Sequence, residues 1–347
     1  MNSLSVKSKI WPGIAGCAII AEVAQAHDGS LGMAHAYIDT AAAAGANGIK
    51  FQTHIAEAES TPSEPWRVRF SPQDETRYDY WKRMEFSEDQ WAGLRAHAET
   101  KGLLFISSAF SPAAVDLLAR VGMDAWKVAS GEVENLALVE KMARTKWPFL
   151  VSTGMSDWRE IDTAVNHLKS LGAEYALLQC TSMYPTPAER LGLNVIEEFR
   201  SRYRCPVGLS DHSGKTYAGL AAAAIGIDVL EVHLTLSRHM FGPDVTSSVD
   251  PDELRQLVEG VRFIEMARAH PVDKTAIADE LREVRRIFQK KVVAARDLPE
   301  GTVIGEKDVA LKKSAEGLTS SSLNSMLGRR LKRSLKRDEA LLDGDLA

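Results

Sequence analysis

Two short β-type runs, each ending in a histidine with an acid nearby, hold the densest chemistry in this sequence. The first is Pro206-Val207-Gly208-Leu209-Ser210-Asp211-His212, the second Val229-Leu230-Glu231-Val232-His233-Leu234. An Ala-rich segment lies between them, and Phe241-Gly242-Pro243-Asp244 follows. As neighbouring parallel strands, these runs would set His212, His233, Glu231 and Asp244 around one mouth. Two imidazoles with oxygen donors and water suit a divalent metal, Mn2+ or Mg2+; the spacing matches no compact zinc motif. Lys50 and Lys127 also close β-type runs, a poor place for purely solubilising lysines. With Ser108, Ser130 and Ser210 they would form an anion site, most economically for a phosphate. Internal ion pairs with Glu22 and Glu132 are the alternative, and a desolvated lysine can also attack a carbonyl as a Schiff base. His27, in the turn after the first run, and Tyr184, before Pro185, are expected at the rim. Gly154 and Gly214 read as turn residues, and His35, His97, His167 and His270 fall on helices or linkers with no special role expected.

The elements that must position these groups repeat with a steady period. Strand candidates at Ile14–Glu22, Gly48–Gln52, Leu103–Ser107, Ala125–Val128, Phe149–Ser152, Tyr175–Gln179, Val207–Leu209 and Val229–Val232 alternate with eight helical segments, the last spanning Pro251–Arg268. Eight β/α units over about 255 residues favour an α/β fold of the closed (β/α)8 TIM-barrel kind over a doubly wound sheet. The polar residues sit where strands end: Glu22, Lys50 with Gln52, Ser107 with Ser108, Lys127 with Ser130 and Glu132, Thr153, Gln179 with Thr181, Ser210 with His212, Glu231 with His233. In a barrel these converge on one face, where catalysis is expected. Thr53 to Glu85 is too long for an ordinary connection and reads as an active-site loop or cover with its own short helix. Expected boundaries are a barrel over 10–270, a charged linker helix within 271–289, and a small β-rich domain over 290–347.

Composition excludes several classes. The chain has 347 residues, 45% apolar, with a formal net charge of −5. That charge gives no electrostatic reason to expect nucleic acid, and the basic tail Arg329-Arg330-Leu331-Lys332-Arg333 lacks aromatic platforms for bases. Three scattered cysteines, Cys17, Cys180 and Cys205, make no disulfide framework, which suggests a reducing cytoplasm. The apolar run Ile14 to Ala26 is broken by Glu22 and Gln25, so it reads as a buried strand rather than a leader, and no membrane span is expected.

An ordered set of segments resembles the sialic acid synthase family. It comprises Ile20-Ala21-Glu22, His27-Asp28-Gly29, Gly48-Ile49-Lys50-Phe51-Gln52-Thr53, Lys127-Val128-Ala129-Ser130-Gly131-Glu132 and Ser152-Thr153-Gly154-Met155. It continues with Cys180-Thr181-Ser182-Met183-Tyr184-Pro185, Leu209-Ser210-Asp211-His212-Ser213-Gly214, Glu231-Val232-His233-Leu234-Thr235-Leu236 and Gly242-Pro243-Asp244. The resemblance covers nearly the whole chain, and its tail is similar to the family's antifreeze-like (SAF-type) domain. It implies a domain-swapped homodimer whose tails cover the partner's mouth. It also implies condensation of phosphoenolpyruvate with an N-acylated amino sugar such as N-acetylmannosamine, giving a nine-carbon 2-keto acid and phosphate. The metal would sit on His212 and His233. Lys50, Ser108, Lys127, Ser130 and Ser210 would hold phosphoenolpyruvate. His27, Gln52, Ser182, Tyr184 and Lys313 would face the sugar, and Glu22, Glu132, Glu231 and Asp244 would act in catalysis, either Glu22 or Glu132 lying near C2.

The sequence departs from the family pattern in one direction. Val232 replaces the usual lysine beside His233, Val245 replaces a histidine, and Ser182 replaces an asparagine. Lys313 stands for an arginine, Ser314-Ala315 for Pro-Gly, and the 53–85 stretch is unlike the usual one. Groups for metal and enolpyruvate are kept, while groups expected near the acceptor differ. A pyruvate aldolase or lyase on the same barrel, or a non-catalytic sugar-phosphate-binding module, are the competing readings; neither gives the full polar set a use.

Overall fold

Eight parallel strands close on themselves in the computed structural model, which describes residue 14 and residues 16–347. The reading of residues 1–13 lies outside the described residues. The chain runs β1 (Ala18–Ala24), α1 (Leu31–Ala43), β2 (Gly48–Thr53), α2 (Ala56–Glu59), α3 (Arg77–Met84) and α4 (Glu88–Thr100). It continues β3 (Leu104–Ala109), α5 (Pro112–Val121), β4 (Ala125–Val128), α6 (Leu136–Ala143), β5 (Phe149–Ser152) and α7 (Trp158–Ser170). Then come β6 (Tyr175–Cys180), α8 (Leu193–Tyr203), β7 (Val207–Asp211), α9 (Thr216–Ile225), β8 (Val229–Leu234), β9 (Ser248–Val249) and α10 (Pro251–Ala269). Strand order follows chain order, and β1 pairs with both β2 and β8, which closes the barrel. β1 starts later than expected because Gly16, at φ +82°, lies outside the extended region. The short β9, which no sequence pattern announced, adds to β8 with His233 opposite Ser248.

Local sequence sets most helix starts. Ser87, with Gln90, and Asp157, with Glu160, close reciprocal capping boxes at the first turns of α4 and α7, each contributing on the order of 1 kcal/mol. Ser30, Ser111 and Asn135 cap α1, α5 and α6 the same way with one side-chain bond. The outer core fills the space between strands and helices, with Trp91, Trp126, Phe51, Phe105, Phe149 and Phe199 fully buried there.

The barrel interior is layered by the two-residue period of its strands. Ile20, Ile106, Ala125, Leu150, Leu178 and Val229 form an apolar plug. Two residues further along each strand stand Glu22, Ser108, Lys127, Ser152, Cys180 and Glu231, which line a cavity above the plug. Close packing of the plug needs small neighbours: a Cβ on Gly208 would come within 2.2 Å of the Val229 carbonyl and 2.6 Å of Leu178.

Residues Met1–Ala269 and His270–Ala347 form two compact units. In the second, the single linker helix expected from sequence is two, α11 (Lys274–Glu280) and α12 (Arg282–Phe288), because Leu281 leaves the helical region at ψ 15°. β10 (Lys290–Ala294) and β11 (Val309–Lys313) pair antiparallel over a core of Val292, Leu298, Ile304, Leu331, Leu335 and Leu341. The basic run is consumed locally: Arg333 pairs with Glu339 and Asp345, both at 2.5 Å, and Arg329 donates to the Ala347 carbonyl. Among the described residues no helix is long and apolar enough to cross a membrane.

Candidate active site

The strand register alone assembles the floor of the site. Glu22 lies opposite Lys50 on β2 and His233 on β8; Gln52 is opposite Ser108, Ser108 opposite Lys127, and Ser210 opposite Glu231. Lys50 Nζ stands 2.7 Å from Glu22 Oε2 and 3.8 Å from Glu231 Oε1, and Lys127 Nζ is also 3.8 Å from Glu231 Oε1. All four side chains are at most 4% exposed. Ser210 donates to Glu231 at 2.9 Å, and Gln52 Nε2 donates to Glu22 Oε1 at 2.9 Å.

Burial and pairing compete at each charge. Burial would strip Lys50 of its proton, but Glu22 and Glu231 outweigh it and hold its pKa above the ordinary lysine value. At Lys127 burial prevails over the more distant Glu231, and its pKa is lowered. Burial raises Glu22 against the opposing pull of Lys50. At Glu231 burial works the same way, but Lys127 and Lys50 together overcome it and keep the group below the usual carboxylate value. The four charges balance, yet the site is not saturated. Ser108 Oγ, Ser152 Oγ, Glu231 Oε2 and His233 Nδ1 are buried without a hydrogen-bond partner. Each belongs to a residue lining the same cavity of about 330 Å³. Several orphaned polar atoms around one void mark the place of a polar ligand.

His212 and His233 face each other across the cavity with ring centroids 5.2 Å apart. His212 Nδ1 donates to the Thr181 carbonyl at 3.0 Å, which leaves Nε2 as the nitrogen for a ligand. Burial lowers the His233 pKa to about 3, so this ring is neutral, and its Nδ1 lies 4.0 Å from Asp244 Oδ2. At His212 burial works the same way, but Cys180 and the Thr181 carbonyl outweigh it and hold its pKa above the ordinary imidazole value, so a metal there would displace a proton. Two imidazoles with a nearby carboxylate fit a divalent ion that takes its remaining ligands from water or substrate. Among the described residues no group of three or more His, Cys, Asp and Glu is gathered closely enough to hold an ion by itself. Glu231 contributes to the lysine network instead.

The long excursion after β2 forms one wall. It carries two short helices, α2 and α3, the second started by a Thr76–Asp79 capping box, over an aromatic cluster of Trp66, Phe70, Tyr80 and Trp81. Arg67 reaches from it to Asp244 (2.6 Å) and lies 4.2 Å above the Tyr184 ring, which stacks on His212 at 4.2 Å. Gly154 leaves space on the opposite side: a Cβ there would meet Ser182 Oγ at 2.5 Å, and Cys180 Sγ and Ser130 Oγ at 2.9 Å. It therefore does more than turn the chain.

The structure brings together Glu22, Lys50, Gln52, Ser108, Lys127, Ser130, Ser182, Tyr184, Ser210, His212, Glu231, His233 and Asp244 around the one cavity. Two residues expected in this cavity are not among its lining. His27 is fully buried between Phe86 and Phe51, its Nδ1 accepting from Gly29 at 3.1 Å; the turn folds it into the outer core rather than to the rim. Glu132 turns away in a short helical turn, where it accepts from Asn135 at 2.8 Å, so Glu22 is the carboxylate at the floor and Lys127 faces Glu231 rather than Glu132. Lys313 belongs to the second unit, its ammonium 5.1 Å from the Phe288 ring. Ser152, Gln25, Arg67, Arg77 and Phe110 line the cavity without having been singled out. Of these only Ser152 left a trace in the pattern, two positions after inward-facing Leu150.

Comparison with known proteins places the chain among relatives along nearly its whole length. The SAF domain model matches residues 291–347. The N,N'-diacetyllegionaminic acid synthase of Campylobacter jejuni is 32% identical over 93% of this chain and 98% of its own length. The human N-acetylneuraminate-9-phosphate synthase is 31% identical over 94% of this chain and 92% of its own. The crystal structure of an N-acetylneuraminic acid synthetase from Leptospira borgpetersenii, in complex with citrate, superposes with a TM-score of 0.69 at 31% identity, covering 80% of this chain and 96% of that one. The NeuB family model matches residues 37–273, and with these likenesses over nearly the full length the chain belongs to the NeuB family.

Proposed function

We propose that this chain condenses phosphoenolpyruvate with an N-acylated amino sugar aldehyde to give a nine-carbon 2-keto sugar acid and phosphate. The observation that carries the reading is the cavity floor, where two buried lysines and the unpartnered hydroxyls of Ser108 and Ser152 await a ligand rich in acceptor oxygens. Phosphoenolpyruvate offers a carboxylate and a phosphate to match. The pairing of the floor with a histidine dyad one layer above favours a two-substrate reaction over simple anion binding.

In this reading Lys50 and Lys127 bind the enolpyruvate's two anionic groups, with Ser108, Ser130 and Ser152 as donors, while Ser210 spends its proton on Glu231 and borders the ligand. C3 of the enol attacks the aldehyde carbon, C2 gains positive character, water adds at C2, and phosphate leaves by C–O cleavage. Glu22 stands at the floor to stabilise the cationic centre and to take the water's proton, its burial-raised pKa suiting it to hold one. Lys50 and Lys127 offset the charge of the departing phosphate. His212 and His233 would hold Mn2+ or Mg2+, which supplies Lewis-acid polarisation of the acceptor's carbonyl. Gln52, Ser182, Tyr184 and Asp244 orient the acceptor, and Arg67 sets the outer limit of its pocket. As the family resemblance implies, a swapped dimer would present the partner's tail, with its lysine at position 313, to this mouth. The three free, scattered thiols suit a cytoplasmic biosynthetic enzyme.

The test is inorganic phosphate release from phosphoenolpyruvate with Mn2+ across a panel of N-acylated amino sugars, with a chelated control and mass analysis of the product. Acceptor-dependent release with a nine-carbon keto acid is expected. Turnover of pyruvate without phosphate, or failure of phosphoenolpyruvate to bind at all, would overturn the reading.

A further inference from the structure

A line of hydrogen bonds leaves the cavity floor and runs into the long excursion after β2. Gln52 Nε2 donates to Glu22 Oε1. Gln25 Nε2 donates to Gln52 Oε1 at 2.7 Å and also lies 2.7 Å from His54 Nε2. An amide nitrogen has no lone pair to offer, so His54 Nε2 accepts from Gln25 and the imidazole proton sits on Nδ1; the longer, 3.3 Å approach of Nε2 to Gln52 Oε1 is then a contact between two acceptors rather than a hydrogen bond. That proton is donated to Glu59 Oε1 on α2. Each acceptor in the series thus fixes the orientation of the next group, and reversing either glutamine amide would set oxygen against oxygen or nitrogen against nitrogen.

Two further observations show the line is held in place rather than incidental. His54 is clamped between Trp81, at 3.9 Å and 16°, and Phe110, at 4.6 Å and 4°, so its ring cannot swing out of register. Gln25 is aimed into the cavity by an unusual backbone. The β1–β2 register shifts between Glu22 and Ala24, and Ala24 takes φ +49°. A non-glycine residue in that region costs roughly 1 kcal/mol or more, and bulges at barrel rims commonly re-aim a side chain.

We propose that His54 and Glu59, which do not line the cavity, are positioning residues: through Gln25 they hold the Gln52 amide with its NH2 on Glu22, keeping both groups in their working orientation. The effect on turnover rests on the synthase reading above. The relay itself does not.

The experiment compares His54→Phe with His54→Gln. Phenylalanine keeps the stack between Trp81 and Phe110 but removes both nitrogens. Glutamine gives up the stack yet places an amide oxygen where Nε2 accepted from Gln25. Expected for His54→Phe is a fall in kcat/KM for the acceptor of about 10- to 100-fold, the size of a small misplacement of reacting groups, with phosphoenolpyruvate KM and thermal midpoint little changed. His54→Gln should recover most of that loss. The reverse ranking, Phe active and Gln impaired, means the ring only fills space and overturns the proposal. An imidazole 15N spectrum of the wild type gives a second, activity-free reading: protonated Nδ1 with bare Nε2 supports the relay, and the opposite tautomer refutes it. Should the wild type release no phosphate with any acceptor, the synthase reading fails while the tautomer still decides on the relay.

Discussion

Lys127→Met separates binding from folding at the floor of the site. The ammonium is 4% exposed, with Glu231 Oε1 at 3.8 Å and the Val128 carbonyl at 3.3 Å, and burial already depresses its pKa. An anion oxygen seated as near to Lys127 as Glu231 is would interact by about 4 kcal/mol at an effective dielectric of about 20. About half of that is expected to survive competition with the Glu231 field and ligand desolvation, so the variant should bind phosphoenolpyruvate about 30-fold more weakly, a loss of about 2 kcal/mol. Methionine follows the lysine stem through an apolar environment, and Glu231 keeps Lys50 and the Ser210 hydroxyl. Stability should therefore change by no more than about 1 kcal/mol, because removing a desolvated charge offsets the ion pair lost with it. Calorimetric titration with phosphoenolpyruvate, without acceptor, and urea unfolding of the same sample measure the two terms. A dissociation constant within threefold of wild type would refute the anion cradle. A stability loss above about 3 kcal/mol would instead make Lys127 a structural counter-ion.

His27→Phe tests the burial of that imidazole: its pKa is lowered to about 3, so the unfolded chain binds the proton first and wild-type stability, complete above pH 6.5, falls as pH drops towards 3. At pH 5 the loss from this group is about 2 kcal/mol, and urea unfolding across pH should show a shallower acid limb in the variant with turnover retained. His212→Ala should lose metal-induced stabilisation. Mn2+ at 100 times its dissociation constant raises wild-type stability by about 2.7 kcal/mol, read as a thermal shift, and an unchanged shift in the variant would exclude His212 as a ligand. Arg67→Ala frees Asp244 and uncovers the Tyr184 ring, so KM for the acceptor should move several-fold while KM for phosphoenolpyruvate holds. Equal changes in both would place Arg67 outside the acceptor pocket.

How much of this was legible before any coordinates follows from range. The barrel was readable because its period is local: eight apolar runs, each ending in polar residues, require only that parallel strands close, and Lys50, Lys127, His212 and His233 then have one place to go. Even the layering was implicit, since Ile20 and Glu22, or Leu150 and Ser152, differ by one period of a strand. Turns and excursions carry no such period. His27 and Glu132 sit three and four residues beyond the ends of β1 and β4, where a small change of φ and ψ decides between cavity and core; the turn buries the first and a helical turn diverts the second. Arg67, Gln25 and His54 are long-range in the same sense. The Arg67–Asp244 pair spans 177 residues and the Gln25–His54 contact depends on a positive φ at Ala24. The sequence by itself thus determined the scaffold and the chemistry of its floor, because hydrophobic periodicity is a property of the chain. The tertiary structure decided which acids and amides face which partners, because that choice is made by contacts between segments with no common period.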